Sequence, residues 1–186
     1  MHIASYCGHL DIVKYLVEEC NCNVEAKDND KKTPLHYASE KGHLDIVEYL
    51  AEDCHCNVDA RDKCGSNPLH YTSGKGHLDI VKYLVEECHC NVEAKDNDGM
   101  TPLSWASYKG QFSVVKYLVE ECYADVKTIS SNSLYKASKF GNLEFVKYLV
   151  EKCHCNVEAK DYYGYTPLHN AKGIVRSYLN SKKSKR

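Results

Sequence analysis

Leucines recur along the chain at a fixed spacing, and each is surrounded by the same pattern of hydrophobic and polar positions. Leu35, Leu69 and Leu103 follow one another at intervals of 34 residues. The interval shortens to 31 residues at Leu134 and returns to 34 at Leu168. A constant period of this length indicates a stack of similar supersecondary units in which each unit contacts only its neighbours.

Each unit is predicted to begin with a short helix, which in the second unit covers Pro34–Lys41. Thr33 is a good N-cap residue, and Pro34 suits the first helical position because its missing N–H is not needed there. Gly42 suits a left-handed helix stop. The predicted cap position recurs as Asn67, Thr101, Asn132 and Thr166.

A second helix is predicted from about residue 43 to about residue 53. At 100° per residue, Ile46, Val47 and Leu50 lie on one apolar stripe that can face the neighbouring units. The segment that links one unit to the next, such as 88–99, has extended character and ends in an Asp-Gly pair. This pair is a strong signal for a tight turn.

These ordered motifs resemble those of ankyrin repeats. The resemblance rests on TPLHYA, on the GHLDIV helix start, on the Asn-Val-x-Ala strand and on the Asp-Gly turn, and it covers about residues 1–172. It implies an all-α repeat solenoid of stacked helix-turn-helix units with β-turn fingers. It also implies that a protein partner would bind across the concave groove and the finger tips.

The units are expected to form one ankyrin-repeat domain over residues 1–180, followed by a basic tail over 181–186. In order, they cover 1–26, 27–60, 61–94, 95–126, 127–159 and 160–180. The first unit lacks the turn and cap of the others. The fifth is three residues shorter, which predicts a stunted finger and a step in the surface. In the truncated sixth unit, 167–179 is expected to form one closing helix.

Composition limits the functions to consider. The formal net charge is −2, which favours neither nucleic acid nor a membrane surface as a partner. No apolar run approaches the roughly 20 residues of a membrane helix. The cysteines number eleven, an odd count, and occupy repeat-locked positions, which fits the reducing cytoplasm, with the nucleus as the alternative.

The Cys-x-Cys pairs are the most suggestive chemical feature. They are Cys20/Cys22, Cys54/Cys56, Cys88/Cys90 and Cys153/Cys155. A structural zinc needs four converging ligands, whereas one pair offers two thiolates and the next pair lies a whole unit away. Free cysteine is commonly a small buried hydrophobic residue. Packing is therefore the favoured interpretation, and a metal-binding or redox-sensing ladder stays open as an alternative.

The histidines are expected to be structural. His36 and His70 align with Ser104 and Tyr135, which are other residues that can form hydrogen bonds. This replacement pattern fits a polar bridge between turns better than catalysis or metal binding. No arrangement of nucleophile, base and orienting group is recognisable, and neither is a phosphate-binding glycine loop, so no enzymatic activity and no cofactor are predicted.

Two exposed surfaces are candidates for binding. The outer helix face carries Lys-first i,i+4 pairs at Lys14–Glu18, Lys82–Glu86, Lys116–Glu120 and Lys147–Glu151. This face is interpreted as a solvated surface. The concave face combines three outward positions of each first helix with the finger tips. Its aromatic residues gather from Tyr71 to Tyr165, beside the shortened finger, and the Met100–Trp105–Tyr108 region is the favoured site for a partner. Tryptophan and tyrosine dominate interface hot spots.

The residues predicted to bind a partner are Tyr37, Glu40, Lys41, Tyr71, Lys75, Met100, Trp105, Tyr108, Lys109, Lys136, Phe140, Tyr162, Tyr163 and Tyr165. The alternative is that these aromatic side chains only pack between neighbouring helices. The sequence thus predicts a monomeric, non-enzymatic module that binds a protein partner, with no small-molecule substrate. A further alternative is a structural spacer or regulatory fragment of a larger ankyrin-repeat protein.

Overall fold

A computed structural model describes residues 1–161 and 163–183, and it consists of helix pairs that follow one another along the chain. The helices are α1 (His2–Cys7), α2 (Leu10–Glu18), α3 (Pro34–Lys41), α4 (Leu44–Glu48), α5 (Pro68–Lys75), α6 (Leu78–Glu86), α7 (Pro102–Lys109), α8 (Phe112–Glu120), α9 (Ser131–Phe140), α10 (Leu143–Glu151), α11 (Pro167–Asn170) and α12 (Gly173–Lys183). A π-helix, Tyr49–Asp53, continues α4, and a 3₁₀ turn, Val126–Thr128, precedes α9.

The helices form two layers. The first helices of successive pairs, α1, α3, α5, α7, α9 and α11, contact one another in chain order. The second helices form the other layer, in which α2 contacts α4, α4 contacts α6, and α6 contacts α8. The predicted all-α repeat solenoid is therefore confirmed.

The core lies between the two layers and is built from the repeated leucines. Leu35, Leu69, Leu103 and Leu134 are at most 1% exposed. Burying a leucine side chain stabilises a fold by about 1.5–3 kcal/mol relative to leaving it in water. No helix pair encloses these side chains alone, since α3 contacts both α1 and α5. Stacking therefore supplies the burial that a single unit lacks.

Two of the predicted cap residues form the expected hydrogen bond. Asn67 and Thr101 accept hydrogen bonds from the backbone N–H groups of His70 and Ser104, three residues further on. Gly42 ends α3 with φ 84°, which is the left-handed conformation that glycine adopts without steric cost.

The prediction of a strand in the linking segments was wrong. No residue in 1–161 or 163–183 is in a β-strand, so the expected Asn-Val-x-Ala strand does not form. The asparagine bends the chain instead. In the second unit, Asn57 Oδ1 accepts from Asp59 N–H, and Asn57 C=O accepts from Ala60 N–H. The linking segment has the composition of an extended strand, but it forms a turn because no neighbouring strand is available for pairing.

The start of α9 was also predicted two residues too late. Its N-cap is Ser130, and Asn132, the expected cap, lies inside the helix. A proline disfavours the helical conformation of the residue that precedes it. Ser133 stands where the other units have proline, so the helix can begin earlier.

The predicted single closing helix is wrong as well. The region forms two helices, α11 and α12, because Ala171 takes an extended conformation and Gly173 has φ 52°. Val175 and Leu179 lie one turn apart on α12 and are at most 1% exposed. Helix α12 extends to Lys183, so the first part of the expected basic tail is helical. Residues 184–186 lie outside the described residues.

Candidate protein-binding groove

In four of the units, the turn that precedes the first helix is organised by one aspartate. These turns, here called fingers two, three, four and six, cover 28–32, 62–66, 96–100 and 161–165. In finger three, Asp62 Oδ1 accepts from the backbone N–H groups of Cys64 and Ser66, both at 2.9 Å. Asp62 Oδ2 accepts from the Tyr71 hydroxyl at 2.6 Å. The aspartate therefore ties the finger to the first helix.

The same arrangement holds two more of the predicted binding residues. Tyr37 donates to Asp28 at 2.6 Å, and the Trp105 indole N–H donates to Asp96 at 2.9 Å. The hydrogen bond to Asp28 raises the pKa of Tyr37 to about 12. These aromatic residues thus have a structural role that the sequence reasoning missed. An aspartate nine residues before each of them was the signal that could have revealed it.

Fingers two, three and four are also bonded to one another. Lys63 N–H donates to Asp30 C=O at 2.7 Å, and Asn97 N–H donates to Cys64 C=O at 2.9 Å. Arg61 Nη1 donates to Lys95 C=O at 2.6 Å. These bonds make the three finger tips one connected edge of the concave face.

The connected edge stops after finger four. In the fifth unit, the 3₁₀ turn Val126–Thr128 replaces the finger. It reaches the preceding unit through Thr128 C=O, which accepts from the Ser104 hydroxyl at 2.8 Å. Because no finger follows, the side of finger four that faces the fifth unit is left uncovered.

A pocket of about 330 Å³ lies at this uncovered position. Its lining residues are Asp96, Asp98, Met100, Trp105, Tyr108 and Lys109. Four of them are in the predicted binding set, and the two aspartates were not. Trp105 packs edge-on against Tyr71, with ring centroids 5.5 Å apart. It also lies so close to Gly74 that a Cβ there would be 2.9 Å from the Trp105 ring.

A second pocket, of about 390 Å³, lies next to the first and shares Tyr108 and Lys109 with it. Lys136 and Phe140 line this second pocket. The Lys136 ammonium lies 3.4 Å from the centroid of the Tyr108 ring, and Phe140 is 79% exposed. The two pockets together form a groove that is acidic on the finger side and basic on the side of α9.

The other predicted binding residues lie outside this groove. Glu40 is bridged by Lys32 at 3.1 Å and by Lys75 at 3.4 Å. The Lys41 ammonium lies 4.1 Å from the centroid of the Tyr6 ring. These residues therefore belong to a part of the concave face whose side chains already contact one another.

Finger six carries the remaining tyrosines of the predicted set. Tyr163 and Tyr165 are exposed, and Tyr165 stacks on His169 with ring centroids 4.2 Å apart. Tyr162 lies outside the described residues. The structure thus separates the predicted set into several patches along the chain, of which the groove around Tyr108 contains the most closely grouped members.

The histidine bridges are confirmed. His36 Nδ1 accepts from Thr33 N–H at 3.1 Å, while its Nε2–H donates to Ser66 C=O in the next unit at 3.2 Å. His70 repeats this arrangement with Met100 C=O. Burial lowers the pKa of both imidazoles. Each histidine therefore joins two units as a neutral side chain.

The cysteine pairs are packed between turns. Cys56, Cys90 and Cys153 are buried, and burial raises the pKa of each thiol to about 12. Within residues 1–161 and 163–183, no group of three or more histidine, cysteine or acidic side chains is placed to hold a metal ion. The residue between the two cysteines has positive φ, as His55 (51°) and His89 (54°) show. The motif thus ends the second helix.

The outer face differs from the prediction. Of the four Lys–Glu pairs, only Lys116–Glu120 lies within 4.0 Å in the part of the chain that the structure describes. The other glutamates accept from tyrosines of the next unit. Tyr49 donates to Glu18 at 3.1 Å, Tyr117 donates to Glu86 at 2.8 Å, and Tyr178 donates to Glu151 at 2.9 Å. The helix-spacing rule missed this inter-unit ladder because a neutral hydroxyl competes with lysine for the carboxylate.

Comparison with known families agrees with this architecture. A family model described as ankyrin repeats in three copies matches residues 1–62 and 54–130, and one described as ankyrin repeats in many copies matches residues 134–171. The chain belongs to the ankyrin-repeat family. Ankyrin repeats are generally protein–protein interaction modules and are typically non-enzymatic. No curated protein matches the chain significantly.

Across 1–161 and 163–183, no helix is both long enough and apolar enough to cross a membrane.

Proposed function

We propose that this protein binds a protein partner through the concave groove between finger four and α9. The observation that carries the proposal is the interruption of the finger edge, which leaves two adjoining pockets on either side of Tyr108. Elsewhere on this edge, each finger is bonded to the next. The groove is therefore the place where a partner segment could take the position of the missing finger.

The composition of the groove supports this location. Met100, Trp105 and Tyr108 are only half-buried, and Phe140 is exposed. Aromatic residues and methionine are enriched in the centres of protein interfaces, where their burial gives most of the binding energy. Charged residues surround them, which is typical of an interface that must also stay soluble when it is free.

The structure also guides the choice of variant. Replacing Trp105 would remove its hydrogen bond to Asp96 and could disturb finger four. The preferred variant is Met100→Ser/Tyr108→Ala, which empties the groove and leaves Trp105 in place. Tyr15→Ser is the matched control, since Tyr15 is a 60% exposed tyrosine on a second helix.

The test is capture of partners from native cell lysate with the wild type and both variants, after circular dichroism shows equal folding. We expect partners held by the wild type and by Tyr15→Ser to be lost with Met100→Ser/Tyr108→Ala. Equal retention by all three would place the binding site on another surface. Recovery of no specific partner would favour the spacer interpretation. The monomeric state and the cytoplasmic or nuclear location stay predictions.

A further inference from the structure

We propose that the pocket formed by Asp96, Asp98, Met100, Trp105, Tyr108 and Lys109, here called the Trp105 pocket, receives an arginine side chain of the partner. The inference rests on the proposed function and names the chemistry of the segment that would enter the groove. Three features of the structure carry it: an internal counterpart in the second unit, the charges of the finger tip, and the shape of the aromatic wall.

The second unit already holds a cation at the matching position. Lys32 is the residue that corresponds to Met100, two units earlier in the chain. Its ammonium lies 4.3 Å from the centroid of the Tyr71 ring, 5.4 Å from that of Tyr37 and 3.1 Å from the Glu40 carboxylate. A positively charged group between aromatic rings and a carboxylate is therefore a feature of this solenoid's own concave face.

The fourth unit keeps an aromatic residue and two finger aspartates, Asp96 and Asp98, but has no cation at the Lys32 position. Trp105 takes the place of Tyr37, and Met100 contributes an uncharged thioether where Lys32 contributed an ammonium. The pocket that results is open to solvent on the side of the fifth unit, which has no finger to cover it. A cation from outside the chain can therefore occupy it.

The charges of finger four favour a positive ligand. The Asp98 carboxylate is exposed and forms no hydrogen bond or ion pair with residues 1–161 or 163–183. The Asp96 carboxylate is close by and is held by Trp105 and by backbone N–H groups. The exposed Lys109 is the only cationic residue that lines this pocket in the described chain, because Lys136 lines the neighbouring one.

Arginine fits the Trp105 pocket better than lysine does. The planar guanidinium can lie flat on the face of a tryptophan, which is the most favourable aromatic partner for a cation. Its fork of N–H donors can also bind a carboxylate at the edge of the ring with two parallel hydrogen bonds. In the Trp105 pocket, the stacking surface is Trp105 and the free carboxylate is Asp98.

The chain offers a direct reporter, because Trp105 is its only tryptophan. The probe is N-acetyl-arginine methylamide, titrated into the ¹⁵N-labelled full chain while the indole N–H resonance of Trp105 is followed by NMR. We expect a saturable shift. The lysine analogue should bind several-fold more weakly, and N-acetyl-leucine methylamide should give no saturable shift.

Two variants make the test specific. Asp98→Asn keeps the turn and removes the free charge. It should weaken binding of the arginine probe about fivefold. Its matched control is Asp30→Asn, the same finger position in the second unit, which should leave the affinity unchanged. Met100→Lys should abolish binding, since it would fill the pocket with a lysine as Lys32 does.

Binding of the leucine probe as tight as that of the arginine probe would overturn the proposal, and so would full affinity in Asp98→Asn. The partner capture described above separates the two ideas. If capture depends on Met100 and Tyr108 while the arginine probe fails to bind, the arginine inference is wrong and the proposed function stands. If capture does not depend on Met100 and Tyr108 and the arginine probe does not bind, the arginine inference and the proposed function are both wrong.

Discussion

The turns before α5 and α9 occupy equivalent places in the solenoid, yet only the first is a finger. Before α5, Asp62 gathers two backbone N–H groups and the Tyr71 hydroxyl, and the finger is bonded to its neighbours on both sides. Before α9, Lys127 stands at the corresponding position, and the chain forms a single 3₁₀ turn. The finger edge therefore depends on one carboxylate in each unit.

The same comparison explains where the groove lies. Tyr71 is covered by the Lys32 ammonium and by Trp105 from the next unit. Within the described residues, Trp105 has no aromatic neighbour in the fifth unit, where Lys136 stands at the equivalent position and lies over Tyr108 instead. The loss of three residues from the turn before α9 thus leaves the Trp105 pocket open, while the repeated leucines stay buried.

The largest effect is expected from removing the finger carboxylate. Asp62→Ala leaves two backbone N–H groups and the Tyr71 hydroxyl without their acceptor, so it should lower the free energy of unfolding by about 2–4 kcal/mol. Lys127→Ala, at the matching exposed position, should change it by less than about 0.5 kcal/mol. Urea unfolding followed by circular dichroism measures both. Equal effects of the two substitutions would show that the finger carboxylate has no special role.

A smaller effect on stability is expected when the pH is lowered. Burial lowers the pKa of His36 and His70 from the ordinary value of 6.5, so the unfolded chain binds more protons than the folded one below that pH. Stability should be complete above about pH 6.5 and should fall as the pH drops below it. A proton on His36 Nδ1 would also displace the Thr33 N–H that donates there.

The variant His36→Ser/His70→Ser tests whether protonation of these two histidines causes the acid sensitivity. Ser104 forms the matching bridge in the fourth unit, so serine can replace the donor without a titrating ring. Thermal melts at neutral and at mildly acidic pH should show a smaller loss of Tm in the variant than in the wild type. An unchanged loss would assign the acid sensitivity to other groups.

The smallest effect is expected at the one finger that lacks its glycine. Lys31 has φ 61°, whereas Gly65, Gly99 and Gly164 supply the left-handed conformation in the other fingers. Lys31→Gly should stabilise the protein by about 0.5–1 kcal/mol because glycine adopts positive φ without steric cost. Gly65→Lys should have the opposite sign, since a Cβ there would also meet the Asn97 side chain.

The helix pairs and their buried leucines could be predicted because each unit repeats its own caps, prolines and apolar stripe. The histidine bridges were predictable from the residues that replace them in other units. The Asp–Tyr and Glu–Tyr bonds were missed, since they join residues in different elements or units and leave no short-range periodicity. The split between α11 and α12 was missed because a shortened unit no longer matches its neighbours, although Gly173 marks the break.

The central claim is that the missing finger creates the binding groove, and restoring the finger tests it most directly. Residues 59–67, DARDKCGSN, would replace 127–132, and Ser133 would become proline, which adds the three residues that the fifth unit lacks. If the grafted protein folds, we expect it to lose both the partner captured by the wild type and the response of the Trp105 indole to the arginine probe. A folded graft that binds both as well as the wild type does would contradict the account.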